Sequence, residues 1–353
     1  MGIPKENAII GSLLGAAIGD AAGLPMEGLS RRRQSRLYST VQGYHLLFHK
    51  GMVSDDTEHI CMVAQALMAS GGDEEKFAKD LAWRMRKWFL CLPAGIGFAT
   101  LRSMLKLCLG FSPHKSGVFS AGNGPAMRSA IIGVCYGDDK PKLKNLVRIS
   151  TRITHTDPKA EWGALAVALA AHLSSRNEFA PEDFFHTLEN MCDSPDQEFL
   201  DLTKKAIDSV STGQSTQDFA ASLGLGNGVS GYMYHTFPVV LHAWFRNSTA
   251  LEPALIEMIR CGGDTDTTAS ILGGIVGAGV GKEGIPPERV ENLWEWFLTP
   301  QWIESLGKNL ALAVNEGRSQ APPRIPFFGS LVRNLFFMII ILSHGFRRLF
   351  PPY

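Results

Sequence analysis

Apolar positions recur at three- and four-residue spacing along most of the chain. In "EWGALAVALAAHLSSR", Trp162, Leu165, Ala166, Leu169 and Leu173 fall on one face of a helix. "TEHICMVAQALMAS", "AMRSAIIGVCYG", "FPVVLHAWFR" and "DTTASILGGIVGAGVG" read the same way, and Ala, Leu and Met, good helix formers, fill them. Alternating β-branched runs bounded by turn residues are nearly absent. The pattern predicts an all-α fold, a compact orthogonal multi-helix domain of many short, densely packed helices. Gly15, Gly19, Gly273, Gly274 and Gly277 would let those helices approach closely.

The pattern changes twice. At the start, "NAIIGSLLGAAIG" has the apolar character of a signal-peptide core, but Lys5 is balanced by Glu6, so the basic leader is poor. A retained, buried helix is expected. Near the end, Pro322, Pro323 and Pro326 in "QAPPRIPFFG" break helical structure. The expected division is therefore an all-helical domain over 1–318, then a Pro-containing linker and an apolar, basic tail over 319–353. The uninterrupted apolar stretch of the tail, Leu335 to Leu342, is far shorter than the roughly 20 residues of a membrane span. Reaching that length takes in Arg333, Asn334, His344, Arg347 and Arg348. A helix docked on the domain or in a dimer interface is expected; the alternative is a tail at a membrane surface with Arg347 and Arg348 near lipid phosphates. Such contact through 327–353 would be weak.

Lysine plus arginine and aspartate plus glutamate both number 34, so there is no basic footprint for nucleic acid and no direct binding to it is expected. The cysteines, Cys61, Cys91, Cys108, Cys135, Cys192 and Cys261, show neither CxxC pairing nor zinc-type spacing. Most read as small buried apolar residues in a reducing compartment, from which a cytoplasmic protein is expected, with the tail leaving a peripheral membrane position open.

Chemistry concentrates in three oxygen-rich stretches. "CGGDTDTTASILGG" sets Asp264 and Asp266 among Thr265, Thr267 and Thr268 at the mouth of a helix, after a Gly-Gly pair. Hard oxygen donors of this kind suit Mg²⁺, and the same residues also suit helix capping. "GMVSDDTEHICM" repeats the theme with Ser54, Asp55, Asp56 and Thr57. Adjacent carboxylates repel unless a cation or solvent compensates them. Two such clusters read best as one site assembled in space, with enough carboxylates for two divalent ions. The third stretch, "GDAAGLPMEG", supplies Asp20 at a helix end and Glu27 after a Gly-Leu-Pro turn. Glu27 is open to reading as a ligand, an acid/base or a solvated surface group. Elsewhere, Gly122, Asn123 and Gly124 in "SAGNGPAMRSA" precede a helix, a weak signal for an anion site. "GAGVGKEG" and "GLGNG" lack the context of nucleotide loops.

Taken in order, "GxxxGDAxGxPxE", "[ST]DDT" and "GGDTDTxAxxxGxxxGA" resemble the ADP-ribosylglycohydrolase family over roughly residues 6–315, in particular bacterial members that remove ADP-ribose from dinitrogenase reductase. The resemblance implies a di-metal cleft holding two Mg²⁺ ions, with Mn²⁺ as a substitute. Ser54, Asp55 and Asp56 would ligate on one side and Asp264, Asp266 and Thr267 on the other, with Asp266 bridging. Glu27, Asp56 and Asp266 would be catalytic. Glu27, Ser120, Gly122, Asn123, Gly124, His155 and Tyr232 would meet ADP-ribose, with Gly231 beside Tyr232 at the adenosine. The implied function is a Mg-dependent hydrolase that frees ADP-ribose from an ADP-ribosylated protein, at arginine or another N- or O-glycosidic linkage, or from a small molecule containing ADP-ribose. The alternative is a non-catalytic ADP-ribose-binding or structural member of the same fold. One departure touches the linkage: where relatives acting on arginine carry Asp in "PxDIG", this chain has Gly95 in "PAGIG".

Overall fold

The computed structural model describes residues 2–177 and 180–351. Among these there are eighteen α-helices and no strand, only isolated bridges between loops. The first part of the chain carries α1 (Lys5–Gly23), α2 (Arg31–Leu37), α3 (Asp55–Ser70), α4 (Glu74–Leu90), α5 (Phe98–Cys108) and α6 (Pro113–Ser116). The middle carries α7 (Ala130–Tyr136), α8 (Lys140–Arg152), α9 (Pro158–Arg176), α10 (Pro181–Met191), α11 (Gln197–Ser211) and α12 (Thr216–Ser222). The last part carries α13 (Met233–Arg246), α14 (Leu251–Ile259), α15 (Thr265–Val280), α16 (Pro287–Glu291), α17 (Pro300–Glu316) and α18 (Phe327–Arg347).

The apolar N-terminal run is a core helix. Every residue of α1 from Ala8 to Gly23 is buried, which explains why it is apolar on all sides. Its main neighbour is α15, and glycines set their separation. A Cβ added at Gly11, Gly15, Gly19 or Gly23 would come within 2.2, 2.2, 2.0 and 2.2 Å of the carbonyl oxygens of Gly277, Gly273, Ala269 and Thr265. The four-residue step on both helices keeps one contact per turn. The two helices therefore touch backbone to backbone and run antiparallel. This brings the C-terminal end of α1, with Asp20, to the N-terminal end of α15, with Asp264 and Thr267.

Asp20 then places α3. Its buried Oδ2 accepts from the backbone N–H of Ser54 and of Thr57 and from the Thr57 hydroxyl, at 2.9, 3.1 and 2.5 Å. Ser54 caps the same helix by accepting from the N–H of Asp56. At its far end α3 closes on Gly71 with φ +59°. All six cysteines are free; five are buried, as expected for most of them, and Cys108 is exposed.

α17 ends on Gly317, and the Pro-containing segment then runs along α3, held by Gln320 N–H to Met68 O and Gln65 Nε2 to Pro323 O. The tail helix α18 docks on the domain through Arg333, Asn334 and Phe337, which are buried. Arg333 donates to Glu295 and Val53 O, and Asn334 donates to Cys91 O.

Candidate active site

A cleft of about 730 Å³ opens where α1, α3 and α15 end or begin. Its floor and one side are oxygen-rich: Glu27, Ser54, Asp55, Asp264, Asp266 and Thr267 line it. Asp56 lies just beneath, almost fully buried. The two carboxylate clusters of the sequence are one cluster in space. Thr267 Oγ1 donates to Asp56 Oδ2 at 3.3 Å, and Ser54 Oγ donates to the same oxygen at 3.2 Å. Glu27 and Asp266 lie within hydrogen-bond reach of each other, as do Asp264 and Asp266.

Two carboxylates can meet in this way only if one holds a proton or a cation lies between them. Burial, together with neighbouring carboxylates, pushes the acids of Asp55, Asp56 and Asp266 well above the ordinary range. Burial also raises Asp264, and it raises Asp20 to about 6. Glu27, at the cleft rim, is raised by desolvation and by Asp264. Asp20 Oδ1, Asp56 Oδ1 and Asp266 Oδ1 are buried without a hydrogen-bond partner. Buried polar atoms left in this state are costly, and several anionic ones together fit hard cations. Among the described residues no group of three or more His, Cys, Asp or Glu side chains is drawn in as a finished metal shell. The fit is therefore one of donor chemistry: six oxygen-bearing residues, of which Asp56 and Asp266 each keep an orphaned buried oxygen.

The facing wall is glycine-rich. Gly122, Asn123 and Gly124 line it together with His155, Gly228 and Gly231. A Cβ on Gly122 would sit 3.0 Å from His155 Nε2, and one on Gly124 3.3 Å from His155 Cε1, so the imidazole fills the space that side chains would need. The segment continues into a 3₁₀ turn, Ala126–Arg128, before α7. His155 is buried and its pKa falls to about 3 through burial and the nearby Arg128, so the ring is neutral. Its Nδ1 lies 2.9 Å from the Thr154 hydroxyl, which accepts from the buried Arg128 Nη2 at 2.6 Å. Thr151 O, the other acceptor for that hydroxyl, is farther away at 3.4 Å. The shorter contact assigns the hydroxyl proton to Nδ1 and the ring proton to Nε2. Arg128, held also by Ser150 and His59, was not singled out in the sequence; a lone arginine in "AMRSA" carries no local signal.

Other expected contacts are placed differently. Asn123 lines the cleft, but its Nδ2 is occupied, donating to Asp264 Oδ2 at 2.7 Å and to Thr236 Oγ1 at 3.0 Å. It joins the glycine wall to the carboxylates. Ser120 and Tyr232 are not among the residues that line the cleft. Tyr232 is bridged to Gly122 through the backbone, and its hydroxyl accepts from Lys159 Nζ. Gly95 lines the cleft with φ +80°, 3.5 Å from Asp55 Oδ1 to an added Cβ. Lining residues that the sequence did not flag include Phe98, Asn227, Ser230 and, from the tail helix, Phe337 and Ile341.

The family model for ADP-ribosylglycohydrolase matches residues 1–320. The chain belongs to the ADP-ribosylglycohydrolase family. A protein of Archaeoglobus fulgidus is 30% identical over 312 residues, covering 86% of this chain and 96% of its own. The ADP-ribosylhydrolase ARH3 of Gallus gallus is 29% identical, with 86% and 93% covered. The ADP-ribosyl-[dinitrogen reductase] glycohydrolase of Rhodospirillum rubrum is 25% identical, with 80% and 88% covered. In fold, a solved ADP-ribosylglycohydrolase-related protein complex superimposes with a TM-score of 0.65 at 24% identity, over 88% of this chain and 99% of that one. The family match ends before α18, so Phe337 and Ile341, which line the cleft, lie outside the matched residues.

Proposed function

We propose that this protein is a Mg-dependent hydrolase that removes ADP-ribose from a modified protein side chain or from a small molecule carrying it. The observation that carries the reading is the joining of the Ser54–Asp56 and Asp264–Thr267 clusters, through Asp56 and Thr267, at the floor of a cleft of nucleotide size. Relatives named as ADP-ribosylhydrolase and as ADP-ribosyl-[dinitrogen reductase] glycohydrolase support it.

Ser54, Asp55, Asp56, Asp264, Asp266 and Thr267 would hold two divalent ions. Bound there, Mg²⁺ or Mn²⁺ would supply Lewis acidity toward ribose hydroxyls and toward a water. Cleavage at the anomeric carbon passes through an oxocarbenium-like state, and the carboxylates of Asp56 and Asp266 would offset its positive charge. Glu27, at the rim, would take a proton from the attacking water or give one to the leaving group. On the opposite wall His155 Nε2–H would donate to a phosphate oxygen, and the bare backbone of Gly122 and Gly124 makes room for the imidazole that carries it. Asn123 positions Asp264 and is not a ligand contact in this reading. With Gly95 beside Asp55, no carboxylate from that loop is available for a guanidinium, which favours linkages other than arginine.

The test is release of ADP-ribose from arginine-, serine- and acetyl-linked substrates, with Mg²⁺, with EDTA, and with Asp266→Asn. Release that needs Mg²⁺ and is lost in the variant is expected. No release from any linkage, with ADP-ribose still bound, would replace the hydrolase by a binding module.

A further inference from the structure

We infer that α18 is an in-plane membrane anchor, which holds the protein against an anionic phospholipid bilayer with its cleft wall on the protein side. The helix has two faces. One carries Arg333, Asn334 and Phe337 into the domain. The other carries Phe328, Val332, Leu335, Ile339, Leu342 and Phe346, spaced by four, three, four, three and four residues, and each is at least 50% exposed. One continuous stripe runs the whole length of the helix. It widens at its flank, where Trp294 and Trp296, both more than a third exposed, pack on Phe336 with ring centroids 6.1 and 5.3 Å away. A soluble surface rarely leaves so long an apolar patch open, and indole rings at its edge match the headgroup level of a bilayer.

Charge selects the occupant. No Asp or Glu follows Glu316, whereas Arg318, Arg324, Arg347 and Arg348 do, besides Arg333, whose charge is met inside the protein by Glu295. At the C-terminal end of α18 the basic helix α2, "RRRQSRL", comes alongside: Arg33 Nη2 donates to Arg348 O. Arg32 and Arg347 are exposed there. Apolar stripe and arginines together complement a surface of acyl chains and lipid phosphates. A second copy of the helix is a poorer match. The positions beside the stripe, Leu331, Phe336, Met338 and Ser343, offer no charged pair to set register between helices.

α18 is long and apolar enough to cross a membrane by length and composition, with 17% of its apolar window buried in the protein. Its polar anchors keep it on the domain. Arg333 is buried and paired with Glu295, Asn334 donates to Cys91 O at 2.9 Å, and Arg348 Nη1 donates to Glu27 O at 2.7 Å. Crossing would strip all three into hydrocarbon. Because Phe337 and Ile341 line the cleft, docking the opposite face would set the cleft beside the membrane.

The test is flotation of the full-length protein with vesicles of phosphatidylcholine alone, or with roughly one third phosphatidylglycerol added. Binding to the anionic vesicles is expected, weaker at high salt and released by alkaline carbonate. Ile339→Glu with Leu342→Glu should lower partitioning about tenfold or more, as should Arg32→Glu with Arg347→Glu. Circular dichroism and the thermal midpoint should stay unchanged in both, since all four side chains are exposed. Absence of flotation, or equal flotation of the variants, overturns the inference. So does a discrete dimer by light scattering that the Ile339/Leu342 variant abolishes, which would assign the stripe to a second copy. Resistance to carbonate would make the helix a span. None of these readouts depends on ADP-ribose release.

Discussion

The hydroxyl of Thr267 donates to Asp56 Oδ2 at 3.3 Å across 211 residues of sequence. It is the direct side-chain tie between the first turn of α15 and the first turn of α3, and the same oxygen also receives Ser54. Thr267→Val removes the donor at nearly constant volume. The expected result is a fall of about 10- to 100-fold in divalent-cation affinity and in ADP-ribose release. Thr267→Ser, which keeps the hydroxyl, should recover most of both. A cation titration run beside the rate assay checks this, and unchanged affinity in the Val variant would remove Thr267 from the ligand set.

The glycine ladder gives a second prediction. Gly19→Ala places a methyl group 2.0 Å from Ala269 O, a backbone atom that cannot swing aside. α1 and α15 must separate, at a cost of about 1–3 kcal/mol or more. Asp20 and the Asp264–Thr267 cluster ride on these helices, so activity should fall in the fraction that remains folded. Gly345→Ala is the control. Nothing lies within 4 Å of its added Cβ, and helix propensity favours Ala there by up to about 1 kcal/mol. Urea unfolding of the two variants against the parent measures both effects.

The legible parts of this protein are those with a local cause. Helical spacing set the fold class, and carboxylates and hydroxyls crowded at helix starts set the floor of the cleft, because capping and metal chemistry both act within one turn of chain. The ladder was half visible: Gly15, Gly19, Gly273 and Gly277 could be named as close-approach residues, but the match of Gly11 to Gly277 and Gly23 to Thr265 needs both helices at once. What escaped has no local signature. Asp20 serves α3 from 34 residues away, and Arg128 reaches His155 only through Thr154. The run Leu335 to Leu342 is apolar throughout, so hydropathy could not tell buried Phe337 from exposed Ile339.

Arg333 is the third test, because it fixes the tail. Its guanidinium donates to Glu295 and Val53 O, lies 3.7 Å from Glu58, and stacks 4.4 Å over Phe337. Arg333→Met keeps bulk and leaves Glu295 and Glu58 buried without their counter-charge. A loss of about 3–5 kcal/mol is expected where a buried pair loses one partner. Adding Glu295→Gln should restore part of it. Protease digestion should release the tail from the single variant much faster than from the parent; equal rates would mean that α18 is held chiefly by its other contacts.

The last prediction concerns acid. His242 on α13 is fully buried, between the hydroxyls of Ser209 and Thr216 at 3.0 and 2.9 Å, and stacks on Phe219 at 4.5 Å. Burial drops its pKa from 6.5 to about 4, so the folded protein keeps the ring neutral. In the unfolded chain the ring takes up its proton near its ordinary value. At this ring the unfolded state therefore holds the extra proton between pH 6.5 and about 4, and the His242 contribution to stability falls as the pH falls through that window, against the opposite contribution of the buried carboxylates whose pKa values are raised. Above pH 6.5 the contribution is complete. His242→Gln removes the titration while leaving groups that can meet both hydroxyls. The slope of unfolding free energy against pH in this window should flatten by about one proton in the variant. Chemical denaturation at several pH values reads the slope directly. An unchanged slope would show that His242 is protonated in the folded protein, and the acid sensitivity would then rest on the other buried histidines, His59 and His155, whose pKa values burial also lowers.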